Sequence, residues 1–114
     1  YVLTGGELPA LIILDAVARL LPGVLGDEKA TLNDSFSEGR LLEYPQYTKP
    51  PVFRGWQVPE VLTNGNVAEQ LRWKHAQSLI RTLELRPDLL KTFNLTDQDL
   101  EILENYINSQ LSPD

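Results

Sequence analysis

The chain has 114 residues, of which 42% are hydrophobic and 23% charged, a composition typical of a globular protein and not of a disordered one. This length allows one small domain, or part of a domain joined to a smaller one. The sequence contains no cysteine, which excludes disulfides, thiolate catalysis and cysteine-ligated zinc. Its net charge of −6 argues against a protein that holds nucleic acid through overall charge, so such a contact must come from a local patch.

The first segment, residues 1–26, is typical of a strand end, a glycine turn and a helix. Residues 1–4 are aromatic and β-branched, which predicts the end of a strand that pairs upstream. Gly5 and Gly6 can adopt positive φ and let a ligand approach the backbone. Apolar spacing after Pro9 predicts a helix to about Leu21. Such corners bind ligands in α/β sheets, but they are equally common as packing devices.

The second segment, residues 27–43, is predicted to be a flexible linker. It contains the polar run 33–39 with Asp34 near its start. Asp34 could cap a short turn, and this is the commoner role for an aspartate in such a setting. Alternatively, an acid on a joint between two bodies could be presented to a substrate held between them.

The third segment begins with a stretch rich in proline and aromatic residues. Tyr44 and Tyr47 are candidates for stacking on an unpaired RNA base. Phe53 and Trp56 are assigned instead to a small core. No apolar run is long enough to cross a bilayer, and the first residues lack the basic flank of a signal peptide, which fits a cytoplasmic protein.

The remainder of the chain predicts helices. Asn66 and Glu69 resemble a capping box, and the pattern predicts a helix from Val67 to about Leu85. Its apolar arc should form the core, while Arg72 projects inside that arc and needs a partner. Two shorter helices follow, from Pro87 and after the cap residue Thr96. The opposite face of the long helix is either solvated or contacts phosphates, and the single histidine, His75, is assigned no chemistry.

Three strings, residues 1–9, 34–36 and 44–50, closely resemble bacterial tRNA (guanine-N1)-methyltransferase, of the trefoil-knot SPOUT class. The resemblance runs from Tyr1 to about Asp97. It implies the C-terminal part of that enzyme, starting in mid-domain. The expected fold is an α/β knot remnant at 1–26 and a flexible linker at 27–43, followed by a small all-α tRNA-binding domain at 44–114.

The resemblance also implies an activity and its residues. The activity is S-adenosyl-L-methionine-dependent methylation of guanine N1 in tRNA, immediately 3′ to the anticodon. It implies Asp34 as the general base and Arg19 facing the guanine, in a homodimer with its active site between subunits. The residues bordering the cofactor would be Tyr1, Val2, Leu3, Gly5, Gly6 and Pro9. The tRNA contacts would be Ser35, Tyr44, Tyr47, Lys49, Arg54, Lys74 and Arg81.

The sequence shows no spacing typical of a metal site, and whether a divalent ion assists is left open. We expect the fragment to be inactive alone. The alternative is a non-catalytic helical RNA-binding or dimerisation module. The string Tyr1–Pro9 discriminates between them, since a pure binding module has no use for a cofactor-wrapping glycine turn.

Overall fold

The computed structural model describes residues 2–27, 31–32, 34–37 and 41–111, and these are mostly helical with one small two-stranded hairpin. The chain divides into two compact units, Tyr1–Leu32 and Asn33–Asp114. Their boundary falls inside the predicted linker, while the three-part division at residues 26 and 43 stays a prediction. No helix in the described ranges combines the length and apolarity that crossing a bilayer requires.

The first unit contains one helix, α1, Glu7–Ala18. It ends three residues before the predicted Leu21. The N–H groups of Leu20 and Leu21 instead donate to carbonyls three residues back, which tightens the chain into turns. None of its residues is buried, although apolar side chains occupy all its sides. Val2 and Leu3 form no strand here, and because a strand end needs a partner, the predicted knot strand stays a prediction.

The second unit is built on α2, Val67–Leu85, as the sequence predicts. At its start the side chain of Asn66 accepts a bond from the Glu69 N–H at 3.3 Å. The carboxylate of Glu69 does not return to Asn66 but accepts from the side chain of Asn64 at 2.9 Å. Asn64 in turn accepts from the Asn66 N–H at 2.9 Å. The helix start is therefore a three-residue network with the same effect as a capping box.

Two strands and two further helices complete the second unit. They are the strands β1, Val52–Phe53, and β2, Trp56–Gln57, and the helices α3, Pro87–Leu90, and α4, Asp97–Leu111.

The core of the second unit is small and centred on α2. The helix packs against α3, α4 and a 3-10 turn at Glu60–Leu62. Leu79 is fully buried, with Leu42 and Leu103 close to it in burial. Arg72 does not project into this core, because its side chain is exposed. Of the apolar positions predicted along α4, only Leu103 is buried.

A buried threonine attaches the preceding segment to α2. The hydroxyl of Thr82, with no exposed surface, donates to the Ser78 carbonyl at 2.7 Å one turn back. Its oxygen accepts from the backbone N–H of Leu42 at 2.8 Å. One hydroxyl thus satisfies a buried backbone donor forty residues away.

A second polar network joins α2 to α4. Thr96 and Asp99 exchange bonds in a reciprocal cap: the Thr96 N–H donates to Asp99 Oδ2 at 2.9 Å, and the Asp99 N–H donates to Thr96 Oγ1. The other carboxylate oxygen of Asp99 lies 2.6 Å from Nε2 of His75. Burial opposes ionisation of Asp99, but the bonds from Thr96 and His75 prevail and hold its pKa below the ordinary value.

We expect Thr82→Val to lower the free energy of unfolding by about 1–3 kcal/mol, because the buried N–H of Leu42 would lose its acceptor while the side-chain volume is kept. Thr82→Ser keeps the hydroxyl and serves as the control for its loss. Urea unfolding followed by circular dichroism measures both variants. Equal stability of the valine and serine variants would show that the hydroxyl contributes nothing.

We also expect the stability of the chain to fall at acid pH through Asp99. Its pKa is lower in the folded chain than its ordinary 3.8, so its contribution to stability is complete above that pH. The contribution is lost as the pH falls through the lower folded-state value. In Asp99→Asn the free energy of unfolding should therefore depend less on pH below about 3.8. Exposed Asp97, in the same turn, gives the matched control Asp97→Asn.

Candidate functional site

The turn at residues 34–37 carries the predicted general base, Asp34. Its backbone oxygen accepts from both the N–H and the hydroxyl of Ser37, at 3.1 and 2.6 Å. The turn cap that the sequence allowed for Asp34 is compatible with this closed turn, and both that role and the catalytic one stay predictions. The side chains of Asp34 and Ser35 are half-buried. Asp34 is therefore presented by a closed turn of the second unit.

Contacts to other described residues attach this turn to the rest of its unit. Ser35 Oγ accepts from the backbone N–H of Glu43 at 2.9 Å. The N–H of Phe36 donates to the Leu41 carbonyl at 3.4 Å. The guanidinium carbon of Arg86 lies 5.6 Å from the centroid of the Phe36 ring. Ser35, predicted to contact tRNA, thus also has a local role in holding the turn, and the predicted flexibility of the whole linker stays a prediction.

Phe36 has a left-handed backbone conformation, with φ of +70°. For a residue other than glycine this conformation costs roughly 1–2 kcal/mol, because Cβ crowds the backbone. Such residues persist only where their surroundings hold them. The strain lies two residues from Asp34, the candidate base.

Four of the predicted tRNA-contacting residues lie on one side of α2. The ammonium of Lys74 lies 4.9 Å from the centroid of the Tyr44 ring. The ring of Tyr47 is tilted by 54° against that of Trp73, with centroids 6.3 Å apart. Arg81 is exposed and lies seven residues, two helical turns, beyond Lys74, so both cations share a face. The segment 44–47 and α2 therefore form one surface of mixed aromatic and cationic character.

The hairpin β1–β2 places two more aromatic rings in solvent. Val52 pairs with Gln57 and Phe53 with Trp56. The two turn residues, Arg54 and Gly55, have φ of +51° and +86°, the signs of a type I′ turn whose twist matches the strands. Trp56 is 81% exposed and Phe53 58% exposed, so assigning them to the core was wrong. A two-stranded ribbon turns some side chains outward, which leaves these two rings largely exposed.

Cations flank this hairpin. The Arg54 guanidinium lies 5.1 Å from the centroid of the Phe53 ring. A groove of about 510 Å³ runs beside it, and Lys49 is the only charged residue in its lining. The lining residues are Gln46, Tyr47, Thr48, Lys49, Pro50, Pro51, Phe53, Trp56, Gln57 and Val58. The local charge is thus opposite in sign to the net −6 of the chain.

The predicted cofactor residues lie in the first unit. Val2, Leu3, Gly5 and Gly6 are exposed, Pro9 is half-buried in the first turn of α1, and Tyr1 lies outside the described residues. Neither glycine has positive φ, contrary to the sequence-based expectation. A Cβ at Gly6 would meet no atom within 4 Å, while one at Gly5 would meet the flexible carboxylate of Glu7. Open space beside the backbone is what these glycines provide.

Arg19 lies in the same unit, at the end of α1. Its backbone N–H donates to the Asp15 carbonyl at 3.2 Å and closes the helix. Its half-buried side chain lines a cavity of about 300 Å³, shared with residues 20–23, Leu25 and Thr31. The backbone of Arg19 therefore ends the helix, while its side chain borders the cavity.

No metal centre is found within the described ranges, where no three histidine or acidic side chains converge. Sequence reasoning missed two features of the site. Trp56 was missed because an aromatic residue near prolines is equally compatible with a core or an exposed ribbon. Arg86 was missed because its partner Phe36 is fifty residues away in the sequence.

Comparison with known proteins gives a consistent result. The profile of the family described as "tRNA (Guanine-1)-methyltransferase TrmD" matches residues 1–92. A tRNA (guanine-N(1)-)-methyltransferase of Staphylococcus epidermidis is 58% identical over 106 residues, which are 93% of this chain and 43% of that protein. The proteins of the same name from Staphylococcus carnosus and Staphylococcus aureus are 58% and 57% identical, with the same coverage. The chain thus spans less than half the length of these relatives.

Proposed function

The chain belongs to the tRNA (guanine-1)-methyltransferase family, and we propose that it is the C-terminal part of an enzyme that methylates N1 of guanine in tRNA, immediately 3′ to the anticodon. The observation that carries this proposal is the family match over residues 1–92, which includes the glycine turn, Arg19 and the turn of Asp34. The methyl donor would be S-adenosyl-L-methionine.

The chemistry requires a base, because N1 of guanine holds a proton at neutral pH and is a poor nucleophile until that proton leaves. The carboxylate of Asp34 would accept it, once the guanine lies within hydrogen-bond distance. Negative charge then accumulates on O6 of the guanine. The permanently charged guanidinium of Arg19 would stabilise that oxygen.

The residues of the first unit fit one side of a nucleoside-binding site. The exposed backbone at Leu3, Gly5 and Gly6 offers N–H and C=O groups to an adenine and a ribose, and the open space at Gly6 admits close approach. Val2 and Pro9 add apolar surface. The bound S-adenosyl-L-methionine would supply a methyl group on a positively charged sulfur. In the proposed enzyme, the residues of this chain hold and orient that methyl group beside the guanine.

A homodimer is part of the proposal. A helix that is apolar on all sides is normally buried, yet no residue of α1 is. Its apolar side chains, such as those of Ile12 and Val17, therefore need apolar partners. The remaining length of the enzyme and a second subunit would supply them.

The RNA-binding surface would be the aromatic and cationic side of the second unit. Exposed rings stack on unpaired bases of any sequence, and lysine or arginine beside them binds phosphate. Tyr47 and Lys49 border the groove beside Trp56, and Tyr44 contacts Lys74. The net negative charge of the chain argues against RNA binding through overall charge. The cations concentrated on this surface would bind RNA locally instead. We add Trp56 to the tRNA-contacting residues that the sequence predicted.

We expect Asp34→Asn to lower the rate of methyl transfer on the order of 10²-fold, because the amide cannot accept the N1 proton. The measurement is single-turnover transfer to unmodified tRNA, in a chain extended to the full length of its relatives. Asp97→Asn, which removes an exposed carboxylate from α4, is the control. Wild-type turnover in Asp34→Asn would refute the base assignment, and tRNA binding without any transfer by the unsubstituted enzyme would favour a binding module.

Trp56→Ala and Lys74→Gln should weaken tRNA binding in different ways. Loss of one stacked base should reduce the affinity roughly tenfold and leave its salt dependence unchanged. Loss of a phosphate contact should lower the slope of log affinity against log salt by about 1. Fluorescence titrations of the extended enzyme at several salt concentrations separate the two, with Lys91→Gln as control. Unchanged affinity in both variants would place the RNA surface elsewhere.

A further inference from the structure

Phe36 depends on its surroundings to keep its conformation. Its φ of +70° is unfavourable for a bulky side chain. The bond from its N–H to Leu41 is long, at 3.4 Å. Its ring lies against the Arg86 guanidinium, whose carbon is 5.6 Å from the ring centroid and within the range of a cation–π interaction. The conformation of the turn is thus tied to the position of Arg86.

Arg86 is itself held from two directions. Its backbone N–H donates to the Thr82 carbonyl at 2.8 Å and ends α2, and Pro87 then begins α3. Its side chain makes two parallel bonds to Asp88, Nε to Oδ1 at 2.9 Å and Nη2 to Oδ2 at 2.7 Å. This geometry fixes the plane of the guanidinium as well as its place. A lysine could keep the charge but could not reproduce the plane.

We propose that Arg86, oriented by Asp88, is a positioning residue that holds Phe36 and thereby aims the carboxylate of Asp34. The inference rests on the proposed function, in which Asp34 is the base. It makes catalysis depend on the junction between α2 and α3, which lies more than fifty residues after Asp34 in the sequence. Arg86 touches no reacting atom. It acts through Phe36, two residues from Asp34.

The chemical consequence is a loss of alignment and not of binding. If the guanidinium is removed, the strained Phe36 can return to negative φ, and the chain direction at residues 34–36 changes. A base displaced by about 1 Å can cost up to 10²-fold in rate, while groups that bind the remainder of the substrate are untouched. The rate of the chemical step should therefore fall while tRNA affinity is retained.

The test compares Arg86→Gln, Arg86→Lys and Asp88→Asn in the extended enzyme. We expect single-turnover methyl transfer, at saturating tRNA and methyl donor, to fall about tenfold in Arg86→Gln. The rate should fall less in Arg86→Lys and Asp88→Asn, since each of these variants keeps a cation near the Phe36 ring. The Kd for tRNA should stay within about twofold in all three. Arg72→Gln, at an exposed arginine of α2, is the matched control.

A double-mutant cycle distinguishes positioning from general stability. Phe36→Gly removes both the ring and the strain, so Arg86→Gln should have no further effect on the rate in that background. A full tenfold effect of Arg86→Gln in Phe36→Gly would overturn the proposal. So would an unchanged rate in Arg86→Gln while Asp34→Asn is inactive, and that result would leave the proposed function intact. An active Asp34→Asn enzyme would instead refute the proposed function itself.

Discussion

The hydroxyl of Thr82 determines where the functional segment of the second unit can lie. By accepting from Leu42 and donating to Ser78, it attaches an extended segment to the middle of a helix at a point with no access to water. Such a bond is costly to leave unmade, which makes the attachment specific. The turn of Asp34 is then tied to residues 41–43, and Tyr44 follows beside Lys74. One buried hydroxyl therefore relates the candidate base and the aromatic surface to the same helix.

The second unit combines an acidic composition with a locally basic and aromatic surface. Its carboxylates are used within the fold: Asp99 joins α2 to α4 through His75, Glu69 supports the start of α2, and Asp88 orients Arg86. In residues 34–37 and 41–111 every buried side-chain nitrogen or oxygen of this unit has a hydrogen-bond partner. The acids thus maintain structure, whereas Lys49, Arg54 and Lys74 lie beside exposed or half-buried rings. Net charge alone would have hidden this separation.

The sequence predicted the elements whose signals are local. The bounds of α2, the start of α3 at Pro87 and the cap at Thr96 follow from helical spacing and capping chemistry, and all are confirmed. It failed where partners are distant. Asp99 is 4% exposed although it is acidic, and its bond to His75, twenty-four residues away, has no local signature. Trp56 and Phe53 are exposed because a type I′ ribbon lies in a stretch that composition alone assigns to packing. For the candidate site, sequence found the residue types, and the structure added the contacts of Ser35, Phe36 and Arg86.

The two units differ in how much of their apolar surface they bury internally. The proposed roles are divided between the units in the same way. The second unit buries Leu79, Leu103 and Leu42 and satisfies its polar groups, while α1 of the first unit buries none of its side chains. By its contacts the turn of Asp34 belongs to the second unit, with Tyr44, Tyr47 and Lys74. In the proposed enzyme the base and the RNA-binding residues would therefore belong to one unit, and the glycine turn for the methyl donor to the other. Substrate positioning and proton removal would then depend on one network, through Thr82 and Arg86.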